Sequence, residues 1–160
     1  MNTKKLTKLS LLLASALILS YIETLIPFDF TIPGIKIGLA NIAIMYTFYK
    51  VGIKESYLVS LVRVLVMAIL FYSFVTTIYS FVGALLSLIV MSILERFKVF
   101  DIKGTCICGA ISHNIGQILA ACVLLGTSAI FYYLPFLLLS GLLSGLMIGI
   151  FTSVLIKRIK

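Results

Sequence analysis

The chain alternates apolar runs with short basic clusters, and no run holds more than one Lys, Arg, Asp or Glu. That pattern leaves few folds open. A membrane-spanning helix needs about 20 apolar residues, within a range of about 17–25. Six runs qualify as candidates: Leu9–Ile26, Ile35–Tyr49, Ser56–Phe71, Phe74–Leu94, Thr105–Leu125 and Phe131–Ile156. The second and third are short for a full crossing. The third and fourth almost touch, near residues 72–77. Hydrophobic residues make up 62% of the chain and charged residues 11%, against about 25% charged in an ordinary soluble domain. So little polar surface cannot cover so much apolar surface in water. The sequence therefore predicts an all-α integral membrane protein, a single domain over residues 1–160 with six transmembrane helices.

The first run imitates a signal peptide, with Lys4, Lys5 and Lys8 ahead of it and Ala14-Ser15-Ala16 as a candidate cleavage site. Cleavage there would leave only Leu9–Leu13 as the apolar core, while the run continues to Ile26. A retained first helix is the better reading. With the N-terminus inside, the inner side receives Lys4, Lys5, Lys8, Lys50, Lys54, Arg96, Lys98, Lys103, Lys157, Arg158 and Lys160, and the outer loops receive Lys36 alone. Cytoplasmic loops carry the basic excess of membrane proteins. The expectation is a multi-pass protein of a bacterial cytoplasmic membrane with both termini in the cytoplasm. The same distribution explains the net charge of +8 without nucleic acid as a partner.

Several polar groups fall inside these runs, where an ionisable side chain costs roughly 2.5–3.5 kcal/mol unless it meets a cavity or a partner. They are Glu23, Asn41, Arg63, the adjacent His113 and Asn114, and Gln117. At about 1.5 Å per residue, all fall between the midplane and the outer surface. Gln117 lies one turn from His113 on the same face, and Asn114 is turned about 100° away. The convergence predicts an outward-facing polar pocket, roofed by the first outer loop, Pro27–Gly34, whose two prolines and a glycine give it a fixed shape. Lys36 joins the pocket as a second cation. The competing reading is interhelical hydrogen bonding, such as Asn114 to a backbone carbonyl or Arg63 to Glu23, with no ligand. Tyr21, Phe28, Phe30, Phe71, Tyr72 and Phe74, near the outer side, suit a flat ligand.

Small residues repeat at helical spacing. Gly141, Gly145 and Gly149 form one stripe, Ser112, Gly116 and Ala120 another, and Ala14 and Ala16 mark the first helix. Such residues let helix backbones approach closely in lipid, either within the bundle or against a partner.

Other chemistry is missing from the sequence. No phosphate-binding G-x-x-x-x-G-K-[ST] loop occurs, and Glu23, Asp29, Glu55, Glu95 and Asp101 are isolated from one another. A metal-dependent diphosphate enzyme needs clustered carboxylates, and a lone His makes no triad. The expectation is no catalysis, no metal and no cofactor. Cys106 and Cys108 are about 200° apart on a helix, and with Cys122 they make an odd number, so free, buried thiols are expected.

Five segments carry a family resemblance: "SYIETLIPF" (20–28), "PGIKIGLANI" (33–42), "LVRVLV" (61–66), "GAISHNIGQILAA" (109–121) and "YLPFLLLSGLLSGLMIG" (133–149). They resemble the Gx transporter family, also labelled heptaprenyl diphosphate synthase component I. The resemblance implies a bundle like the substrate-binding S components of energy-coupling factor (ECF) transporters. Those have six helices, cytoplasmic termini and an outer first loop over the ligand. They work with a membrane scaffold and two ATPases, and small residues of the first helix, here Ala14 and Ala16, meet the scaffold. The family also resembles components associated with menaquinone and extracellular electron transfer, often beside a NusG-like domain protein. A quinone precursor, prenyl compound, flavin or vitamin-like molecule is the cargo this implies. Three functions compete: substrate capture for an energised importer, a non-catalytic membrane subunit of a prenyl or quinone enzyme, and ion-coupled transport by the chain alone. The last is weakened because only Glu23 offers a carboxylate within the membrane.

Overall fold

The computed structural model describes residues 3–25, 37–71 and 73–159. Lys36, the loop 27–36, Phe28, Phe30 and Tyr72 lie outside the described residues. Six α-helices follow one another: α1 (Thr3–Leu25), α2 (Leu39–Lys50), α3 (Ile53–Leu70), α4 (Phe74–Phe97), α5 (Ile102–Leu125) and α6 (Leu134–Arg158). A 3-10 turn, Ser128–Tyr133, leads into α6. Among the described residues all regular structure is helical.

Local chemistry sets the boundaries. α1 begins at Thr3 and so includes the lysines that the apolar run excluded. The uncertain junction between the third and fourth runs breaks at Ser73, whose side chain caps α4 by accepting from the Thr76 N–H at 3.3 Å. Asp101 caps α5 in the same way, accepting from Gly104 N–H at 2.9 Å. The sixth run starts later as α-helix than its apolarity suggested. Residues 131–133 belong to the 3-10 turn, and Pro135 in the first turn of α6 suits a helix start.

The helices close into a ring in the order α1, α3, α4, α5, α6, α2, and α2 also touches α3. α2 therefore sits deepest: Ala40 and every residue from Ala43 to Phe48 are buried. At 12 residues it is about 18 Å long, well short of the roughly 30 Å hydrocarbon core. Segments Thr3–Leu25, Phe74–Phe97, Ile102–Leu125 and Ser128–Arg158 are long and apolar enough to cross a membrane. α3 has 18 residues, but it carries Lys54, Glu55 and Arg63.

One apolar cluster draws on every helix: Leu9, Ile44, Phe48, Val59, Leu88, Met91, Cys106 and Ile148 are among its members. Large apolar side chains are also exposed on the outside, among them Leu11, Ile18, Ile69 and Val123. Helices apolar on both faces are what lipid requires. Many hydroxyls that such helices bury return to their own backbone. Thr47 donates to the Ala43 carbonyl at 2.8 Å, Ser112 to Cys108 at 2.7 Å and Ser153 to Gly149 at 2.7 Å. The three cysteines are free thiols.

Glycine sets the closest helix approaches. On α6, a Cβ at Gly145 would lie 2.7 Å from the Cα of Ile107, and one at Gly149 would lie 2.8 Å from the Cα of Lys103. A Cβ at Gly141 would meet the Asn114 amide nitrogen at 2.8 Å. The stripe on α6 is thus occupied by α5. Between α4 and α5, a Cβ at Gly116 would lie 2.9 Å from the Cα of Gly83. Ala14 and Ala16 of α1 separate: Ala16 is fully buried, while Ala14 is exposed.

Among the described residues, and apart from Arg63 in the middle of α3, the basic residues lie at or near the starts of α1, α3 and α5 and the ends of α2, α4 and α6. Lys5 of α1 pairs with Glu55 of α3, which brings two of those starts together. That pair holds the Glu55 carboxyl below its ordinary range. At the opposite end, the rings of Tyr21 and Phe71 pack at a tilt of 36°, 5.3 Å between centroids.

Candidate functional site

A polar cavity lies inside the ring, and every helix contributes to its wall. α1 gives Glu23, α2 gives Asn41 and α3 gives Arg63. Ser80 comes from α4, His113, Asn114 and Gln117 from α5, and Ser144 from α6. The cavity measures about 60 Å³. A further space of about 30 Å³ continues from it toward the apolar cluster, sharing Asn41, His113 and Ile148.

The polar residues are held in different ways. Glu23 ends α1 and accepts a hydrogen bond from the backbone N–H of Gly38, immediately before α2. Gly38 has φ of 78°, a left-handed conformation open to glycine at little cost. A carboxylate at a helix start meets unpaired N–H groups and the positive end of the helix dipole. Glu23 therefore ties α1 to the start of α2 as well as bordering the cavity. Arg63 of α3 donates through Nη1 to Ser20 of α1 at 3.1 Å, and Ser20 is buried. That contact holds the guanidinium on the cavity wall.

On α5 the three polar residues divide their roles. Asn114 donates through Nδ2 to the Leu137 carbonyl of α6 at 2.5 Å, passing over Gly141, where no Cβ intervenes. Its amide serves helix packing even as it borders the cavity. His113 and Gln117 face α4 instead, where a Cβ at Gly83 would meet the His113 carbonyl at 2.8 Å and Gln117 Cγ at 2.9 Å. Gly83 is thus what allows α4 to press against this pair. Among the described residues, the side-chain amides of Asn41 and Gln117 make no hydrogen bond, although both line the cavity.

Six of the seven residues predicted to bind substrate thus border one space: Glu23, Asn41, Arg63, His113, Asn114 and Gln117. Lys36 lies outside the described residues. Sequence reasoning missed Ser20, Gly38, Ser80, Gly83 and Ser144. Small residues inside apolar runs signal close packing in general, and nothing in their spacing marks these five as neighbours of a polar cavity. Among the described residues no group of three or more His, Cys, Asp or Glu gathers to hold a metal ion.

The family profile described as heptaprenyl diphosphate synthase component I matches residues 12–155. The chain belongs to that family. The match runs from the middle of α1 to near the end of α6, so it takes in every cavity residue. Comparison with curated proteins and with solved structures gave no match.

Proposed function

We propose that the chain is a membrane-embedded capture subunit, of the kind that serves an energy-coupling factor importer, and that it is not itself an enzyme. In this reading all six helices cross or enter a bacterial cytoplasmic membrane, both termini face the cytoplasm, and the cavity opens toward the outside. A separate membrane scaffold and two ATPases would supply the energy, and the exposed face of α1 that carries Ala14 is available to such a scaffold. The observation that carries the reading is the cavity itself: polar, walled by residues from all six helices, and lined by two amides that spend no hydrogen bond on described protein groups. Both amides are half-buried and open to the cavity, so a ligand or water there can accept from them and donate to them.

The second reading is a non-catalytic subunit that supports a prenyl diphosphate synthase. The family's description names a component of such an enzyme, and this alone favours it. Native mass spectrometry of gently purified protein separates the two. Capture predicts a retained small molecule that is lost from Asn41→Ala and Gln117→Ala chains of unchanged thermal stability. A chain that retains nothing, yet is required for prenyl chain extension by a co-purified synthase, would establish the second reading.

A further inference from the structure

Resting on the capture reading, we infer that the ligand is an amphiphile, with a compact anionic or carbonyl head in the polar cavity and an apolar body in a groove beside it. The groove runs toward the C-terminal end of α5. Its walls are Tyr79 of α4, Ile118, Ala121 and Leu125 of α5, Tyr133 of the 3-10 turn and Leu137 of α6. Gln117 borders both spaces, so a single side chain stands between them and its rotation would join them.

The two spaces differ in size and chemistry. The cavity measures about 60 Å³ and the groove about 190 Å³. A pocket for a drug-sized ligand usually measures about 300–1,000 Å³. The cavity alone admits only a head, and the two together approach the usual range. Arg63 and the Glu23 carboxylate border the same cavity, so its charges balance, which suits a carbonyl dipole or a single negative charge on the Arg63 side better than a multiply charged group. Asn41 and Gln117 offer amide donors and acceptors to the same head. The groove offers apolar walls flanked by two tyrosine rings, which suit a flat or chain-like hydrocarbon. From Gln117 to Leu125 is about 12 Å along the helix axis, long enough to bury several carbons. The groove's other possible occupant is the acyl chain of a bilayer lipid, and the experiment distinguishes it.

The probes are acetate, which is head alone, and geranate, which adds an isoprenoid body. Binding to the chain in lipid nanodiscs is followed by ligand-observed NMR, with empty nanodiscs correcting for partition. Several buried methylenes should make geranate at least about tenfold tighter than acetate. Ala121→Phe fills the groove and Tyr79→Ala removes one wall. Each should abolish the advantage of geranate and leave acetate unchanged, and either variant suffices if the other fails to fold. Arg63→Gln should weaken both ligands. Equal binding of acetate and geranate overturns the inference. So does a geranate advantage that survives both groove variants, because lipid then fills the groove. If neither carboxylate binds while the cell-purified chain retains some other molecule, the amphiphile is wrong and capture stands. If neither binds and nothing is retained, both fall.

Discussion

At Gly83 the backbone of α4 lies against the side chains that shape the cavity. A methyl group there would sit 2.8 Å from the His113 carbonyl and 2.9 Å from Gln117 Cγ. The carbonyl belongs to a helix and cannot turn aside, so α4 and α5 must separate. Overpacking of this kind costs roughly 1–3 kcal/mol. Gly83→Ala should therefore lower the thermal midpoint in detergent and weaken binding of the retained ligand by about tenfold, since a shift near 1 Å at Gln117 breaks hydrogen-bond geometry. Unchanged affinity with lowered stability would mean that Gln117 does not touch the ligand. The same residue-scale view separates two neighbours that the sequence cannot rank. Asn114 and Gln117 are both amides on α5, yet one is engaged by the Leu137 carbonyl and the other lines both the cavity and the groove. The sequence reading held both roles open for Asn114. Which role applies depends on Gly141 lying opposite it, and a single helix's sequence carries no record of what lies opposite.

The α5–α6 pair turns a sequence pattern into a rigid wall. Gly141, Gly145 and Gly149 repeat every four residues, and each admits part of α5 where a side chain would stand. Replacing Gly145 by leucine would drive a branched side chain into the Ile107 Cα and the Cys106 carbonyl, 2.7 and 2.9 Å from where its Cβ would be. The expected result is loss of the folded, detergent-stable chain, by a mechanism that costs at least about 1–3 kcal/mol. Ala16→Leu should behave alike, because Ala16 is 0% exposed. Ala14→Leu should leave the isolated chain as stable as its parent, since Ala14 faces outward. Thermal melts followed by size-exclusion chromatography test all three, and a destabilised Ala14→Leu chain would contradict the packing of α1. Helix existence was legible from apolar runs because lipid and packing both demand them. Helix ends were less so. The fourth run's start needed Ser73 as a cap, and the sixth run contained a 3-10 turn that apolarity cannot reveal.

The whole molecule is polarised along its helices. Basic residues sit at the starts of α1, α3 and α5 and the ends of α2, α4 and α6, which alternating crossings would gather on one side. Two contacts agree with that alternation: Lys5 of α1 pairs with Glu55 of α3, and the C-terminal half of α6 meets the start of α5 where Gly149 faces Lys103. The polar cavity lies toward the other end, near the end of α1 and the start of α2. The basic excess of a membrane protein stays in the cytoplasm, so the cavity end should face outward. The short α2 is the weak point of six full crossings: at about 18 Å it would have to begin inside the bilayer on that reading, and Glu23 satisfies the Gly38 N–H before it. Two single-cysteine chains test the arrangement, with Cys106, Cys108 and Cys122 replaced by alanine. Val99→Cys reports the α4–α5 connection, and Ser128→Cys reports the turn before α6. In intact cells a membrane-impermeant thiol reagent should label position 128 and spare position 99 until the cells are permeabilised. The reverse pattern inverts the molecule and turns the cavity toward the cytoplasm, which removes the basis for capture from outside. Labelling of both positions from outside would mean that α5 does not cross, and the ring of helices would then need a different relation to the bilayer.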